Sequence, residues 1–301
     1  MSRIKKSYRV ADHVFSIVMD ESSMLWEKSA QSYGPFEVPV EDGIFTLSVE
    51  DALDPGISQL VYTNKETVEV GFIVLSVYKS EKGHYFEFTQ PGAARLSGAL
   101  LVSDDLSDAK VTLNCEGLEK WNTFNTAMDF CFLLATACRG TLLTHSSSIV
   151  YDGRSYIFLG KSGTGKSTHS RMWLKAIEGT VLMNDDHPVV RVHDDGRVIA
   201  YGSPWSGKTP CYKNMSAPLG GVIRISRAPY NKARRLSPIE SYASLMTSCS
   251  GMTWERQLAD GKDATLQNVI KSVPCWVMEC LPDEDAGRTC CEAVTGVYKV
   301  K

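Results

Sequence analysis

Residues 160–168 read Gly-Lys-Ser-Gly-Thr-Gly-Lys-Ser-Thr. They fill every constrained position of the pattern G-x-x-x-x-G-K-S, a loop that cradles the phosphates of a nucleotide. Gly160, Gly163 and Gly165 carry no Cβ, so the main chain is free to take positive φ and curl closely around an anion. The curled amides form an anion-binding nest. In this pattern Lys166 is expected to place a point charge on the β- and γ-phosphates, and the Ser167 hydroxyl can ligate Mg²⁺. The expected nucleotide-binding set is Gly160, Ser162, Gly163, Thr164, Gly165, Lys166, Ser167 and Thr168.

The flanks agree with the loop. Ser155 to Leu159 is an apolar, aromatic run that predicts a buried parallel strand. Ser167 to Ala176 predicts a helix, with Met172, Trp173 and Ala176 on a core face. Strand, glycine loop and helix are the context that separates this motif from a chance glycine-rich turn.

Composition bounds the rest. A length of 301 residues with 43% hydrophobic content suggests one large domain or two smaller ones with a sizeable core. A net charge of −3 gives no basic field for nucleic acid. Ala127 to Cys138, the longest apolar stretch, is broken by Asp129 and Thr136 and is too short to span a bilayer, so a buried helix and no membrane partner are expected. The basic start, Met1 to Arg9, is not followed by an apolar signal segment. Nine cysteines include no C-x-x-C pair, which points to reduced thiols in a cytoplasmic setting rather than to zinc.

Residues 1–118 lack long helical periodicity. They hold short β-like runs at His13 to Met19, Gly43 to Val49, Thr67 to Val77, His84 to Thr89, Ala99 to Val102 and Lys110 to Leu113, separated by turn signals such as Asp54-Pro-Gly and Gln90-Pro-Gly. This predicts a β-rich N-terminal module without a chemical motif. Residues 119–301 form the second expected domain, the one that carries the glycine loop. Leu118 to Cys138 reads as a helix joining and packing between the two, with Gly140 as its stop. Thr141 to Val150, an Asp152-Gly153 turn and the strand before the loop form a hairpin pattern. Further on come a strand ending in Asp185-Asp186, strands on either side of Asp194-Asp195-Gly196, a strand at Gly220 to Ile225, helices from Pro238 and Asp263, a strand at Cys275 to Cys280 and a last helix from Asp283.

Asp185 and Asp186 are the second half of a nucleotide site. Mg²⁺ takes hard oxygen ligands and keeps several waters, so one carboxylate suffices and the other is free to accept a proton from a hydroxyl. A solvated turn is the alternative. His145, in Thr144-His-Ser-Ser-Ser, is either a packed residue or a member of the site, and His187 has the same two readings. Tyr201-Gly-Ser-Pro-Trp-Ser-Gly-Lys208 is either a loop that brings Lys208 to a transferred phosphoryl group or a surface turn. Arg224 and Arg227 either reach phosphates or snorkel, and Arg234-Arg235 reads as a solvated turn.

Together these residues resemble the catalytic domain of HPr kinase/phosphorylase and its relatives, which share a loop architecture with phosphoenolpyruvate carboxykinases. The match lies at Gly160 to Thr168, Asn184-Asp185-Asp186, His145 and the Tyr201 to Lys208 segment, and covers about residue 141 onward. The N-terminal half does not resemble the usual HPr kinase N-terminal domain. The resemblance implies an α/β catalytic domain with a mixed sheet, α+β over the whole chain, and an ATP- and Mg²⁺-dependent kinase. Lys166 and the loop would hold the phosphates, Ser167 and Asp186 the Mg²⁺. Asp185 would be the base towards a serine-type hydroxyl, with His145 and Lys208 in the catalytic set. The acceptor would be a protein, a peptide or a small metabolite, and relatives of this kind often form homo-oligomers. Two other readings stay open: a nucleotide-binding regulatory module without turnover, and a phosphotransferase of the phosphoenolpyruvate carboxykinase type.

Overall fold

A computed structural model describes residues 2–65, 73–93, 95–207, 209–252 and 254–296. The chain has mixed α/β content in two compact units. The first comprises 1–135 with 252–256, and the second 136–251 with 257–301. Each unit is built on a nine-stranded mixed sheet or its equivalent, and among the described residues there are six α-helices.

The first unit contains β1 (Arg3–Val10), β2 (His13–Asp20), α1 (Leu25–Ser32), β3 (Glu37–Val38), β4 (Phe45–Val49), β5 (Ser58–Thr63), β6 (Val74–Ser80), β7 (Gly83–Thr89), β8 (Leu96–Val102), β9 (Asp108–Leu113) and α2 (Gly117–Thr136). Its sheet runs β3-β1-β2-β4-β9-β8-β7-β6-β5. Pairing is parallel where β4 meets β2 and β9, and antiparallel elsewhere. Alternation places Phe15, Ile17 and Met19 of β2 and Phe86 and Phe88 of β7 in the core. α2 lies over these aromatics: Phe132 meets Phe15 edge-on at 6.1 Å, and Phe130 meets Phe86 at 5.4 Å. α2 therefore shares the core of the first unit, which extends to residue 135 where composition had placed the boundary at 118. Its apolar face is matched by the sheet's aromatic face, and that packing decides to which unit it belongs. Three elements had no clear sequence signal. β1 was hidden by its lysines and arginines, β5 is almost wholly exposed, and α1 is short. Part of the expected Thr67 to Val77 strand lies outside the described residues, and β6 begins at Val74.

The second unit contains β10 (Thr141–Leu143), β11 (Ser146–Tyr151), β12 (Arg154–Leu159), α3 (Lys166–Ala176), β13 (Val181–Asp186), β14 (Val189–Val192), β15 (Val198–Tyr201), β16 (Ser216–Arg227), β17 (Lys232–Arg235), α4 (Pro238–Met246), α5 (Arg256–Ser272), β18 (Cys275–Cys280) and α6 (Glu284–Thr295). The order is β10-β14-β15-β16-β12-β11-β13, with β18 and then β17 joining at β16. β16 is long enough to serve twice. Its start pairs antiparallel with β15, and its remainder pairs parallel with β12 and β18. One face of the sheet packs Ile157, Leu159 and Val222 against Leu245 of α4 and Leu266 and Val269 of α5. The other packs Phe158, Ile223 and Ile225 against Trp173 of α3 and Cys290 and Cys291 of α6. The β11–β12 hairpin forms as expected, with Asp152 at φ 47° and Gly153 at φ 70°, the positive pair that a two-residue turn needs. Arg234 and Arg235, read as a turn, are in β17, where backbone pairing to β18 overrides their polarity. α5 starts at Arg256 rather than near Asp263.

Candidate functional site

β12 ends at Leu159 and α3 begins at Lys166, so residues 160–165 form the turn between a buried strand and a helix N-terminus. Gly160, Gly163 and Gly165 all take positive φ, at 155°, 76° and 112°. A Cβ at Gly163 would meet nothing within 4 Å, so the loop is open at its tip. Thr164 closes the turn on itself, with its amide and hydroxyl both donating to the Lys161 carbonyl, at 3.1 and 2.8 Å.

Lys166, the first residue of α3, is buried, and its ammonium is held on two sides. It donates to the Gly160 carbonyl at 3.0 Å and to His145 Nε2 at 2.9 Å. His145 Nδ1 in turn lies 3.1 Å from Asp186 Oδ1. Lys166 has only protons to give, so Nε2 accepts, and Nδ1–H donates to the carboxylate. The result is a continuous chain from the loop carbonyl through ammonium and imidazole to carboxylate. Burial pushes the Lys166 pKa down, opposed by the charges of Asp186 and Asp185. For Asp186, burial acts upward. The hydrogen bond from His145 and the nearby His187, His145 and Lys166 outweigh it, and the carboxyl ends below its ordinary value.

His145 reaches this position because the predicted Thr141 to Val150 strand is broken. β10 stops at Leu143 and β11 starts at Ser146. Between them the Thr144 amide donates to the Pro188 carbonyl and the His145 amide to the Ser248 carbonyl, at 3.2 and 2.7 Å. The two acids arrive on β13, which pairs antiparallel with β11 so that Ser147 opposes Asp185 and Ser146 opposes Asp186. Opposed residues share a face. Ser147 bonds Ser170 of α3 at 2.6 Å, so Asp185 lies on the α3 face of the sheet, buried.

Sequence reading gave Asn184 no role, yet it organises the segment after the acids. Fully buried, its amide nitrogen donates to the carbonyls of Ser203, Trp205 and Cys211 at 2.9–3.5 Å, and its oxygen accepts from the His187 amide at 3.0 Å. Gly207 then bonds the Asp185 carbonyl at 2.8 Å. A Cβ at Gly207 would sit 3.1 Å from Asp186 Cγ and Oδ2, so glycine lets the loop lie against the carboxylate. An asparagine in a strand carries no pattern that announces such a role; only the neighbouring acids marked the spot.

His187 joins the group, with ring centroid 5.8 Å from that of His145. Ligand atoms of His145, Asp186 and His187 lie within 4.8 Å of one another. Burial lowers the His187 pKa, with Asp186 opposing and His145 and Lys166 adding to the effect. Arg227, at the end of β16, donates to the Gly163 carbonyl and so reaches the loop backbone. Arg224 is exposed on the same strand. Lys208 lies outside the described residues. Ser162 is exposed at the loop, and Ser167 and Thr168 occupy the first turn of α3. The structure thus brings Lys166, His145, Asp185 and Asp186 to one place at the loop.

No helix among the described residues is long and apolar enough to cross a membrane. Compared with protein-family models and with curated proteins, the chain matches none.

Proposed function

We propose that this protein is an ATP- and Mg²⁺-dependent kinase of the HPr kinase-like type, with the mixed-sheet catalytic fold of that group in its second unit. It transfers the γ-phosphoryl group to a serine-type hydroxyl of a protein, peptide or small molecule. The observation that carries the proposal is the hydrogen-bonded chain from Gly160 through Lys166 and His145 to Asp186, beside the buried Asp185.

The residues fit a nucleotide. The glycine loop is open at Gly163, its glycines hold the positive φ that turns amides toward an anion, and Lys166 supplies the charge. They also fit Mg²⁺: the Ser167 hydroxyl and Asp186 carboxylate are the hard oxygen donors it takes. Ser167 and Asp186 would hold Mg²⁺, which when bound would neutralise phosphate charge.

Lys166 and the loop amides bind the β- and γ-phosphates and hold them in line with the acceptor. Asp185 takes the proton of the acceptor hydroxyl as its oxygen bonds to the γ-phosphorus, and the bond from that phosphorus to the β-phosphate oxygen breaks. Placement and charge neutralisation do most of this work, because phosphoryl transfer needs little covalent help. His145 keeps Asp186 ionised and oriented, and it fixes the Lys166 ammonium against the loop.

Incubation with γ-labelled ATP, Mg²⁺ and candidate hydroxyl acceptors tests the proposal. Label should pass to a hydroxyl, and Asp185→Asn should bind ATP yet transfer none. ATP binding without transfer to any hydroxyl would instead support a nucleotide-binding module without turnover. Unchanged turnover in Asp185→Asn would remove Asp185 as the base.

A further inference from the structure

Lys262 stands where the pattern of α5 asks for an apolar residue. The helix buries Leu258, Lys262, Thr265, Leu266 and Val269 on one face, the spacing of a core stripe. An ammonium there loses its water, which lowers its pKa and costs free energy unless a partner replaces the solvent. That partner is the Cys249 carbonyl, 2.7 Å from Nζ. Gly251 makes room for the lysine stem: a Cβ at residue 251 would run into Lys262 Cδ and lie 2.9 Å from Nζ.

Cys249 belongs to the strip of chain that holds His145. Residues 248–250 run antiparallel beside 143–145, where β10 gives way to β11. The Ser250 amide donates to the Leu143 carbonyl at 3.2 Å, the His145 amide donates to the Ser248 carbonyl at 2.7 Å, and Thr144 opposes Cys249. In a pair of this kind the carbonyls of the two opposed residues turn away from each other's strand. The carbonyl of buried Cys249 therefore faces outward from the break, and a buried acceptor needs a donor. Lys262 is that donor. We propose that Lys262 is a positioning residue: it holds the 248–250 strip from behind and thereby fixes His145 between Lys166 and Asp186. On the opposite side the Pro188 carbonyl accepts from the Thr144 amide and hydroxyl, at 3.2 and 3.0 Å, so the break is clamped from both flanks. The consequence for turnover rests on the kinase reading above; the placement of the imidazole does not.

Ring nitrogen-15 chemical shifts and turnover test it together. Of the six histidines, His145 is identified by the signals missing in His145→Gln. The unaltered protein should show one His145 tautomer, with the proton on Nδ1, as the bonds to Lys166 and Asp186 require. Lys262→Met keeps the length of the side chain and removes the donor. Gly251→Ala keeps the ammonium and crowds its stem, and it serves if the first variant does not fold, as judged by thermal melting. Either should move the His145 signals toward those of an imidazole that averages its two tautomers. Release of label from γ-labelled Mg²⁺-ATP, to an acceptor or to water, should fall about tenfold or more, with calorimetric ATP affinity held within about twofold. Unchanged His145 shifts in a folded variant overturn the inference, and so does unchanged turnover. ATP affinity that falls as far as turnover, the mark of a loosened fold, overturns it as well. If the unaltered protein releases no label, the kinase reading fails by itself, and the His145 shifts still decide the placement.

Discussion

Asp186 holds φ at 154°, a conformation that side chains rarely adopt, at the last position of β13. Such residues cost about 1–3 kcal/mol each and persist where their surroundings hold them in place. Here His145 holds Oδ1, while the space beside Oδ2 is left free of a Cβ only because residue 207 is glycine. Gly207→Ala would need the carboxylate to give by a few tenths of an ångström. Steady-state kinetics of this variant should show turnover reduced by about tenfold, since small misplacements at a reacting centre are costly, with little change in melting temperature. At Lys166 the expected effect is on binding. Lys166→Ala removes a charge-assisted contact and should weaken ATP roughly 10- to 100-fold in a calorimetric titration. His145→Ala should leave most ATP binding intact and lower turnover, because its partners on both sides lose their alignment. A variant that binds and turns over normally would show that the imidazole merely packs.

β13 and the segment after it stand or fall on Asn184. The amide is buried with several main-chain partners, so Asn184→Ala leaves several backbone groups unsatisfied at about 1–3 kcal/mol for each that water cannot reach. The melting temperature should drop markedly, and amide exchange should rise across 203–207 before it rises in β12. A comparison within the same unit is α4, whose start is a full capping box. Ser237 accepts from the Glu240 amide, and Glu240 accepts from the Ser237 amide. The Glu240 carboxyl, bonded first by Arg234 and then by Ser237, is lowered to about 2. Ser237→Ala should cost about 1 kcal/mol by thermal or urea unfolding and leave nucleotide binding unaltered.

Across the molecule, stability should depend on pH through buried imidazoles. His169, on the buried face of α3, accepts a hydrogen bond from Trp173 Nε1 at 3.2 Å and packs edge-on to Phe158. Burial lowers its pKa from 6.5 to about 3. An unfolded chain therefore binds a proton that the native state refuses between those values, so native stability falls as pH drops below about 6.5 and continues to fall toward 3. His187, also lowered, acts over the same range, whereas Asp186 contributes only further down, below the ordinary carboxylate value of 3.8. Melting temperature measured from pH 8 to 5 should decline on the acid side. Through His169 the second unit should lose about 2 kcal/mol between pH 6.5 and 5. His169→Gln keeps an acceptor for Trp173 without the titration and should flatten the decline; an unchanged slope would place the acid sensitivity elsewhere.

The glycine loop and its strand and helix could be read from residues 155–176 alone, because their constraints are local: glycines for positive φ, β-branched and aromatic residues for a buried strand, a lysine at the helix start. The hairpin turn at Asp152-Gly153 and the acids at the end of β13 were legible for the same reason. The break at Thr144-His145, the place of α2 in the first core, the β17 pairing and the anchoring by Asn184 were not. Each depends on partners distant in sequence: Ser248 and Pro188 for the break, the aromatic face of β2 and β7 for α2, β18 for β17, and the 203–211 backbone for Asn184. The sequence by itself determined a glycine-rich turn between a buried strand and a helix that opens on a lysine, and two adjacent carboxylates at the end of a later strand. Only the tertiary structure decided that His145 links that loop's lysine to Asp186, because a hydrogen-bonded chain across β11, α3 and β13 exists only once the sheet has brought them side by side.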